Sequence, residues 1–255
     1  SVLAIDIDED AITHAKNEVF KDYDSSKLKL IKGNFESVYE LAEKENFLNV
    51  DGIVFDIGVS SFQLDNPEKG FSFLREGPID MRMDNTIGMP AGRLIDILDS
   101  KSLSDLIFKF SDEMYSRKIA EKIVEERENG GESVFWENKT TTELAEFISV
   151  VVGGRREKIH PATRVFQALR MAVNDEVGAL NRGLVSALDC LTHGGVMCVV
   201  CFHSVEERII DKFMTESFNN SKGSIFGKVI TPDLDEIERN PRSRSAKLKV
   251  FIKGA

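Results

Sequence analysis

The chain has 255 residues, 42% hydrophobic and 8% aromatic, which suffices for a core of ordinary size and excludes a disordered chain, a coiled coil and a disulfide-held miniprotein. No apolar run approaches the roughly 20 residues of a membrane-spanning helix, and Ser1 to Asp10 lacks the cationic start and apolar stretch of a signal peptide, so a soluble chain is expected. The formal charge is −10, from 33 basic and 43 acidic residues, yet two basic islands interrupt it. Arg155 to Arg170 carries Arg155, Arg156, Lys158, Arg164 and Arg170 against Glu157 alone, and Arg239 to Lys249 carries Arg239, Arg242, Arg244, Lys247 and Lys249 with no acid. A charge run is commonly a solvated face, and a nucleic-acid binder uses the same pattern on phosphates; both readings stand at this point. Three cysteines, Cys190, Cys198 and Cys201, are too few for a disulfide framework and fit a reducing compartment, so the cytoplasm is the expected location.

In chain order, Val2 to Asp8 is an apolar run closing on acids, followed by Glu9 to Phe20 with Ala11, Ile12, Ala15 and Val19 on one helical face. Leu28 to Ile31 predicts a second strand, Val38 to Phe47 a helix, and Gly52 to Phe55 a third, buried strand. Continuous apolar strands alternating with helices predict an α/β fold, with a parallel sheet covered on both faces. From Arg93 to Val152 helical periodicity takes over, at Leu94, Ile97 and Leu98, then Leu106, Ile107 and Phe110, then Ile119 and Ile123, then Leu144, Phe147, Ile148 and Val151. The α/β pattern resumes with a helix from Thr163 to Cys190, a turn at Gly194-Gly195 and the strand Val196 to Phe202. Ser204, with Glu207 three residues on, predicts a capping box for the helix Val205 to Phe218. Lys228 to Thr231 and Leu248 to Ile252 predict two closing strands. The expected organisation is a main domain of residues 1–92 and 153–255 with an all-helical insertion, residues 93–152, for substrate recognition.

A doubly wound nucleotide-binding sheet needs a first strand, a Gly-rich loop and a first helix ahead of the strand that ends in a ribose-binding acid. No Gly-x-Gly occurs among the 18 glycines, and Ser1 leads directly into what reads as the second strand. A chain shortened at its N-terminus, without that first strand and loop, is therefore expected.

Asp6 ends the first visible strand, where a carboxylate can accept both hydroxyls of a ribose; aspartates also end strands for turn chemistry alone. Gly33-Asn34-Phe35 follows the second strand, offering an aromatic ring to an adenine, and Asp56-Ile57-Gly58 follows the third. Cys198 and Cys201 are three apart in an apolar strand and face opposite sides, so they read as core and no metal site is expected. His203 ends a buried strand at the presumed active edge, as a structural or a functional histidine. Val59-Ser60-Ser61 lacks the Gly-x-Ser-x-Gly elbow of a hydrolase.

The segments Ala4-Ile5-Asp6, Gly70 to Asp84 with its core Asp80-Met81-Arg82-Met83-Asp84, His160 to Arg164 with Phe166-Gln167-Ala168, Phe202-His203-Ser204 and Asn240 to Ser245 together resemble the bacterial ribosomal RNA small subunit methyltransferase H family (MraW). The resemblance runs from Leu3 to Ser245. It implies a class I, Rossmann-like methyltransferase fold with a helical insertion, and an S-adenosylmethionine-dependent activity on N4 of a cytidine in 16S ribosomal RNA of the small subunit. Cofactor contacts carry over to Asp6, Phe35, Asp56 and Gln63. Two departures are the Gly-rich loop and Phe62, which stands where the family has proline.

Methyl transfer from a sulfonium is an in-line displacement in which positioning dominates. The amine of cytosine is a poor nucleophile, which an oxygen accepting its N–H improves. Asp56 fits that task, or a purely cofactor-orienting one. With no Asp/Asn-Pro-Pro-aromatic motif after that strand, the acceptor loop falls to Ser60, Ser61 and the segment Phe71 to Asp84. A base splayed out of RNA needs stacking partners, for which Phe71 and Phe73 stand ready, core burial being the other reading for one of them. Arg155, Arg156, Arg164, Arg242 and Arg244 are the expected phosphate contacts. Two alternatives remain from the sequence: a non-catalytic RNA-binding or ribosome-assembly protein, and a nicotinamide-dependent dehydrogenase reading a ribose with Asp6.

Overall fold

The computed structural model describes residues 1–24, 26–132, 134–153 and 159–254; Arg155 and Arg156 lie outside the described residues. The chain divides into two compact units, one built from Ser1–Gly58 with Val177–Ala255, the other from Val59–Glu176. The helical run expected at 93–152 falls within the second unit, which also takes in 59–92 and 153–176.

In the first unit β1 (Val2–Asp6) pairs in parallel with β2 (Leu28–Lys32), and β3 (Val50–Asp56) pairs in parallel with β4 (Leu191–Cys201). The sheet of β3 and β4 closes with antiparallel strands: β6 (Lys247–Lys253) lies beside β4, and β5 (Gly223–Ile225) lies on its far side. The closing strand expected at Lys228 to Thr231 is instead a single bridge between Ile230 and Leu248. The turn expected at Gly194-Gly195 is an irregularity inside β4, where Val50 faces Leu191 but Gly52 already faces Val196 and Gly194 adopts φ 75°.

One face of this sheet is the core. Phe55, Met197, Val199, Cys201 and Phe251 pack with Leu180, Leu184, Ala187 and Leu188 of α9 (Glu176–Cys190) and with Ile210, Phe213 and Met214 of α10 (Ser204–Asn219). Each of the larger of these side chains, Leu, Ile, Val, Met and Phe, contributes roughly 1.5–3 kcal/mol by leaving water. On the other face Val54 is 72% exposed, so β3 is a half-buried strand at the edge of the described sheet, not the doubly covered strand its apolar run predicts. Apolar runs satisfy strand propensity whichever face is covered, which is why the run alone does not distinguish the two cases.

The second unit is helical: α3 (Ser61–Asp65), α4 (Ala91–Ile97), α5 (Ser100–Ser111), α6 (Ser116–Gly130), α7 (Thr141–Val152) and α8 (Ala162–Val173). The periodic residues Ile107, Ile119, Ile123, Leu144 and Ile148 are fully buried in its core. Asp99 caps α5 and a Thr140–Glu143 capping box opens α7, while Gly131 and Gly153 end α6 and α7 in the left-handed conformation that glycine adopts without strain. The helix expected from Thr163 to Cys190 is two helices, α8 and α9, broken where Asp175 adopts φ 46°. Asn174 causes the break, because its side-chain amide donates to the carbonyls of Met81 (2.7 Å) and Arg170 (2.8 Å) and its side-chain oxygen accepts the Met83 N–H at 2.7 Å. The segment Asp80 to Asp84 is thus a structural knot: Met81 is fully buried at φ 63°, and Arg82 donates twice to the Asp80 carboxylate at 2.8 Å. Among the described residues no helix is long and apolar enough to cross a membrane.

Candidate active site

The carboxyl ends of β1, β2 and β3 are linked by a short chain of contacts within the first unit. The carbonyl of Asp6 accepts the N–H of Gly33 at 2.9 Å, tying the end of β1 to the turn after β2. Asn34 caps that turn by accepting the Glu36 N–H at 3.1 Å, and Phe35 packs edge-to-face on Phe55 of β3 with ring centroids 5.7 Å apart. Asp56 is the next residue and the last of β3. Helix α9 braces the Phe35 turn from behind: Arg182 pairs with Glu36, and Ser186 Oγ accepts the Tyr39 N–H at 3.1 Å. Gly183 is required there, since a Cβ on it would come within 2.7 Å of the Phe35 ring. At the end of β1 the Asp6 carboxylate accepts the N–H of Asp8 at 2.8 Å, and Asp8 in turn caps α1 (Glu9–His14) by accepting the N–H of Asp10 at 3.0 Å.

Asp56 keeps exposed surface, yet its carboxyl is raised above the ordinary carboxylate range, first by partial loss of hydration and second by the negative charge of Glu206. Glu206 comes from α10, whose start the parallel pairing of β3 and β4 brings to the same edge. Its carboxylate is buried and accepts the backbone N–H groups of Phe202 (2.8 Å) and His203 (3.3 Å). The N-cap of α10 is therefore His203, not Ser204, and its box partner is Glu206, not Glu207. The Glu206 N–H donates to His203 Nδ1 at 3.4 Å, and Nε2 of the same ring lies 3.0 Å from Glu206 Oε1, shut off from solvent and not aligned for a hydrogen bond. Gly58, at φ 107°, lets the chain leave β3 beside Phe202. The ends of these strands thus offer Asp6, Phe35, Asp56, His203 and Glu206, linked through Gly33 and Phe55: carboxylates suited to hydroxyl donors and to a cation, and one aromatic ring.

The family profile of the MraW methylase family matches residues 1–254. The chain belongs to that family. Among the relatives, ribosomal RNA small subunit methyltransferase H of Dehalococcoides mccartyi is 42% identical, the alignment covering 98% of this chain and 73% of that protein. Proteins of the same name from the Wolbachia strain of Drosophila simulans and from Thermomicrobium roseum are 41% and 40% identical, over 98% and 97% of this chain and 84% and 78% of theirs.

The remaining residues that the sequence singled out lie in the second unit or on the basic islands. Ser60 caps α3, accepting the Gln63 N–H at 3.2 Å, while the Gln63 side-chain oxygen accepts the Ser60 N–H at 2.9 Å. Gln63 is buried and its carbonyl oxygen is committed to this cap; Ser61 is exposed. Phe71 is buried in the core of the second unit, and Phe73 packs between His160 (4.7 Å) and Phe166 (4.9 Å). The core reading therefore holds for Phe71. Of the basic residues, Arg164 pairs with Glu113 at 3.5 Å and Arg170 with Glu176 at 2.7 Å. Lys247 pairs with Glu207 at 2.5 Å, and Lys249 with Asp211 at 2.5 Å and Glu207 at 3.2 Å. The island from Arg239 to Lys249 thus presents Arg242 and Arg244, both exposed on the 3-10 turn Pro241–Ser245, while its lysines are spent on α10. Burial pushes the thiols of Cys190 and Cys201 up to about 11, as expected of core cysteines.

Proposed function

We propose that this member of the MraW methylase family is an S-adenosylmethionine-dependent methyltransferase of 16S ribosomal RNA, acting on N4 of a cytidine in the small subunit. The observation that carries the reading is the run Asp6–Gly33–Phe35–Phe55–Asp56, which links the acid that ends β1, an aromatic ring and the raised carboxyl that ends β3. The donor set fits the cofactor: a cationic sulfonium with a ribose and an adenine calls for carboxylates and an aromatic face, and this edge holds both. Bound S-adenosylmethionine supplies an electrophilic methyl group. Asp6 accepts the ribose hydroxyls, and Phe35 lies against the adenine. Asp56 accepts the amine N–H, helping the nitrogen pyramidalise, and takes the proton that the methylated amine sheds. Gln63 is assigned to the cofactor, Ser60 and Ser61 to the acceptor loop, Phe73 to stacking, and Arg164, Arg242 and Arg244 to phosphates. The names of the relatives, all methyltransferases of the small-subunit ribosomal RNA, support the same substrate, and a cytoplasmic location follows from it.

The test uses the full-length protein, small-subunit RNA and S-adenosylmethionine, with the product nucleoside identified by mass spectrometry as N4-methylcytidine. Asp6→Ala is expected to weaken cofactor binding about 10- to 100-fold, since hydrogen bonds to a charged group contribute roughly 1.5–3 kcal/mol each. An unchanged dissociation constant removes Asp6 from the site; binding of RNA without methyl transfer returns the chain to the non-catalytic reading.

A further inference from the structure

Glu206 is a buried carboxylate that the fold alone does not require. It is 3% exposed, and it does two local tasks, accepting the N–H groups of Phe202 and His203. A glutamine would accept the same two protons without burying a charge, which costs several kcal/mol per ion in a protein interior unless fully compensated. The compensation in view is modest. The His203 imidazole lies 3.0 Å away with its Nε2 out of line and buried, while its Nδ1 accepts the Glu206 N–H. The nearby lysines are engaged elsewhere, Lys247 with Glu207 and Lys249 with Glu207 and Asp211. Buried ionisable side chains cluster where chemistry needs them.

We propose that Glu206 is a positioning residue of the methyl-transfer site: its carboxylate fixes the Phe202–His203 backbone, its own N–H holds the His203 imidazole, and its charge stands as a second negative charge behind Asp56. The assignment rests on the methyltransferase reading above. Asp56, the last residue of β3, pairs with Val200 of β4, two residues before Phe202, whose N–H the Glu206 carboxylate accepts; His203 stands at the head of α10, and Glu207, Asp211, Lys247 and Lys249 form their own ion-paired cluster. Both Asp56 and the Cys201 thiol are pushed up in part by the charge of Glu206, so that charge reaches both strand ends. Its use at Asp56 is to make the carboxylate a stronger proton acceptor for the cytosine amine, since proton transfer is more effective as the acceptor's affinity for protons approaches the working pH. The His203–Glu206 pair keeps the β4–α10 turn rigid while that charge acts.

The decisive variant is Glu206→Gln in the full-length protein, which keeps acceptors for the two N–H groups and removes the charge. Carbon-13 NMR of the side-chain carboxyls, recorded without cofactor or RNA, is expected to show the Asp56 midpoint lower than in the parent, with Asp56→Asn identifying the signal. At saturating S-adenosylmethionine and RNA, turnover is expected to fall roughly tenfold and the acid limb of the pH–turnover curve to move down in the same direction, with KM for the cofactor within about twofold of the parent. A purely structural Glu206 predicts a change in thermal midpoint and no movement of either titration. An active parent whose Glu206→Gln variant keeps the Asp56 midpoint and the acid limb overturns this proposal alone. A parent that binds the RNA and the cofactor but transfers no methyl group overturns the methyltransferase reading, and the use of this charge with it.

Discussion

Replacing Arg242 and Arg244 together by alanine separates the two readings of the second basic island. Both side chains are exposed on the turn Pro241–Ser245, whereas Lys247 and Lys249 of the same island are held by acids of α10 at 2.5 Å. If each arginine neutralises one phosphate of structured RNA, each contributes about 0.7–0.9 to the slope of log affinity against log salt. The double variant is then expected to flatten the slope by about 1.4–1.8. Between 50 and 200 mM salt, a fourfold change, that difference closes the gap between parent and variant by roughly 7- to 12-fold. The assay is equilibrium binding of a small-subunit RNA fragment across a salt series, with S-adenosylmethionine affinity measured on both proteins to confirm an intact fold. Parallel slopes refute the reasoning and make this turn a solvated surface. The RNA would then be held by the other island, whose Arg164 is exposed but already shared with Glu113.

Two further outcomes follow from the charges around the candidate site. Lys249→Met removes a cation whose side chain is 6% exposed and takes from Asp211 its partner and from Glu207 one of its two, so at pH 7 the thermal midpoint is expected to drop roughly 5–10 °C, with the RNA salt slope unchanged. Burial works against the Lys249 charge, but Asp211 and Glu207 more than offset it and raise its affinity for protons; that contribution is present below 10.5 and lost above it. Glu207 is lowered, chiefly by its hydrogen bond from Lys247, so its contribution is present above 4.5 and lost as the solution is acidified below that; a gap between parent and variant that fails to narrow below pH 4.5 refutes the pairing. Asp56→Asn is expected to abolish most turnover yet raise the midpoint at pH 7 by roughly 1–3 °C, because a carboxyl raised in the folded state destabilises that state when ionised. The gain should fade below 3.8, where Asp56 is protonated folded or unfolded; a lower midpoint at pH 7 contradicts the raised carboxyl ascribed to Asp56.

The strand ends were legible because each is marked by short-range chemistry. Asp6 closes an apolar run and Asp56 another, and a glycine turn precedes Phe35; no distant partner is needed to see them. Helices α4 to α7 were legible for the same reason, since period and caps are local. The one-sided burial of β3 was not, because which face is covered depends on elements far away in sequence. Nor was the break between α8 and α9, which Asn174 makes with Met81 and Met83, some ninety residues earlier. Phe71 and Phe73 looked equivalent in sequence, and only packing separates a core ring from one held between His160 and Phe166.

The start of α10 shows why the most consequential residue was one position away from where the pattern put it. Ser204-x-x-Glu207 and His203-x-x-Glu206 compete for one helix start, and the serine version fits the usual capping residues better. What decides between them is the far strand β6. Lys247 and Lys249 draw the Glu207 carboxylate away from the cap, to 2.5 and 3.2 Å from their ammonium groups, which leaves Glu206 to turn inward onto the Phe202 and His203 N–H groups. The lysines that looked like part of an RNA-binding island are therefore held within the fold. By holding Glu207 they leave the cap to Glu206, so neutralising Lys247 and Lys249 together frees Glu207 to compete for it. The Asp56 midpoint is then expected to fall in the same carboxyl titration that tests Glu206→Gln, and an unmoved midpoint would mean that the cap is fixed without help from β6.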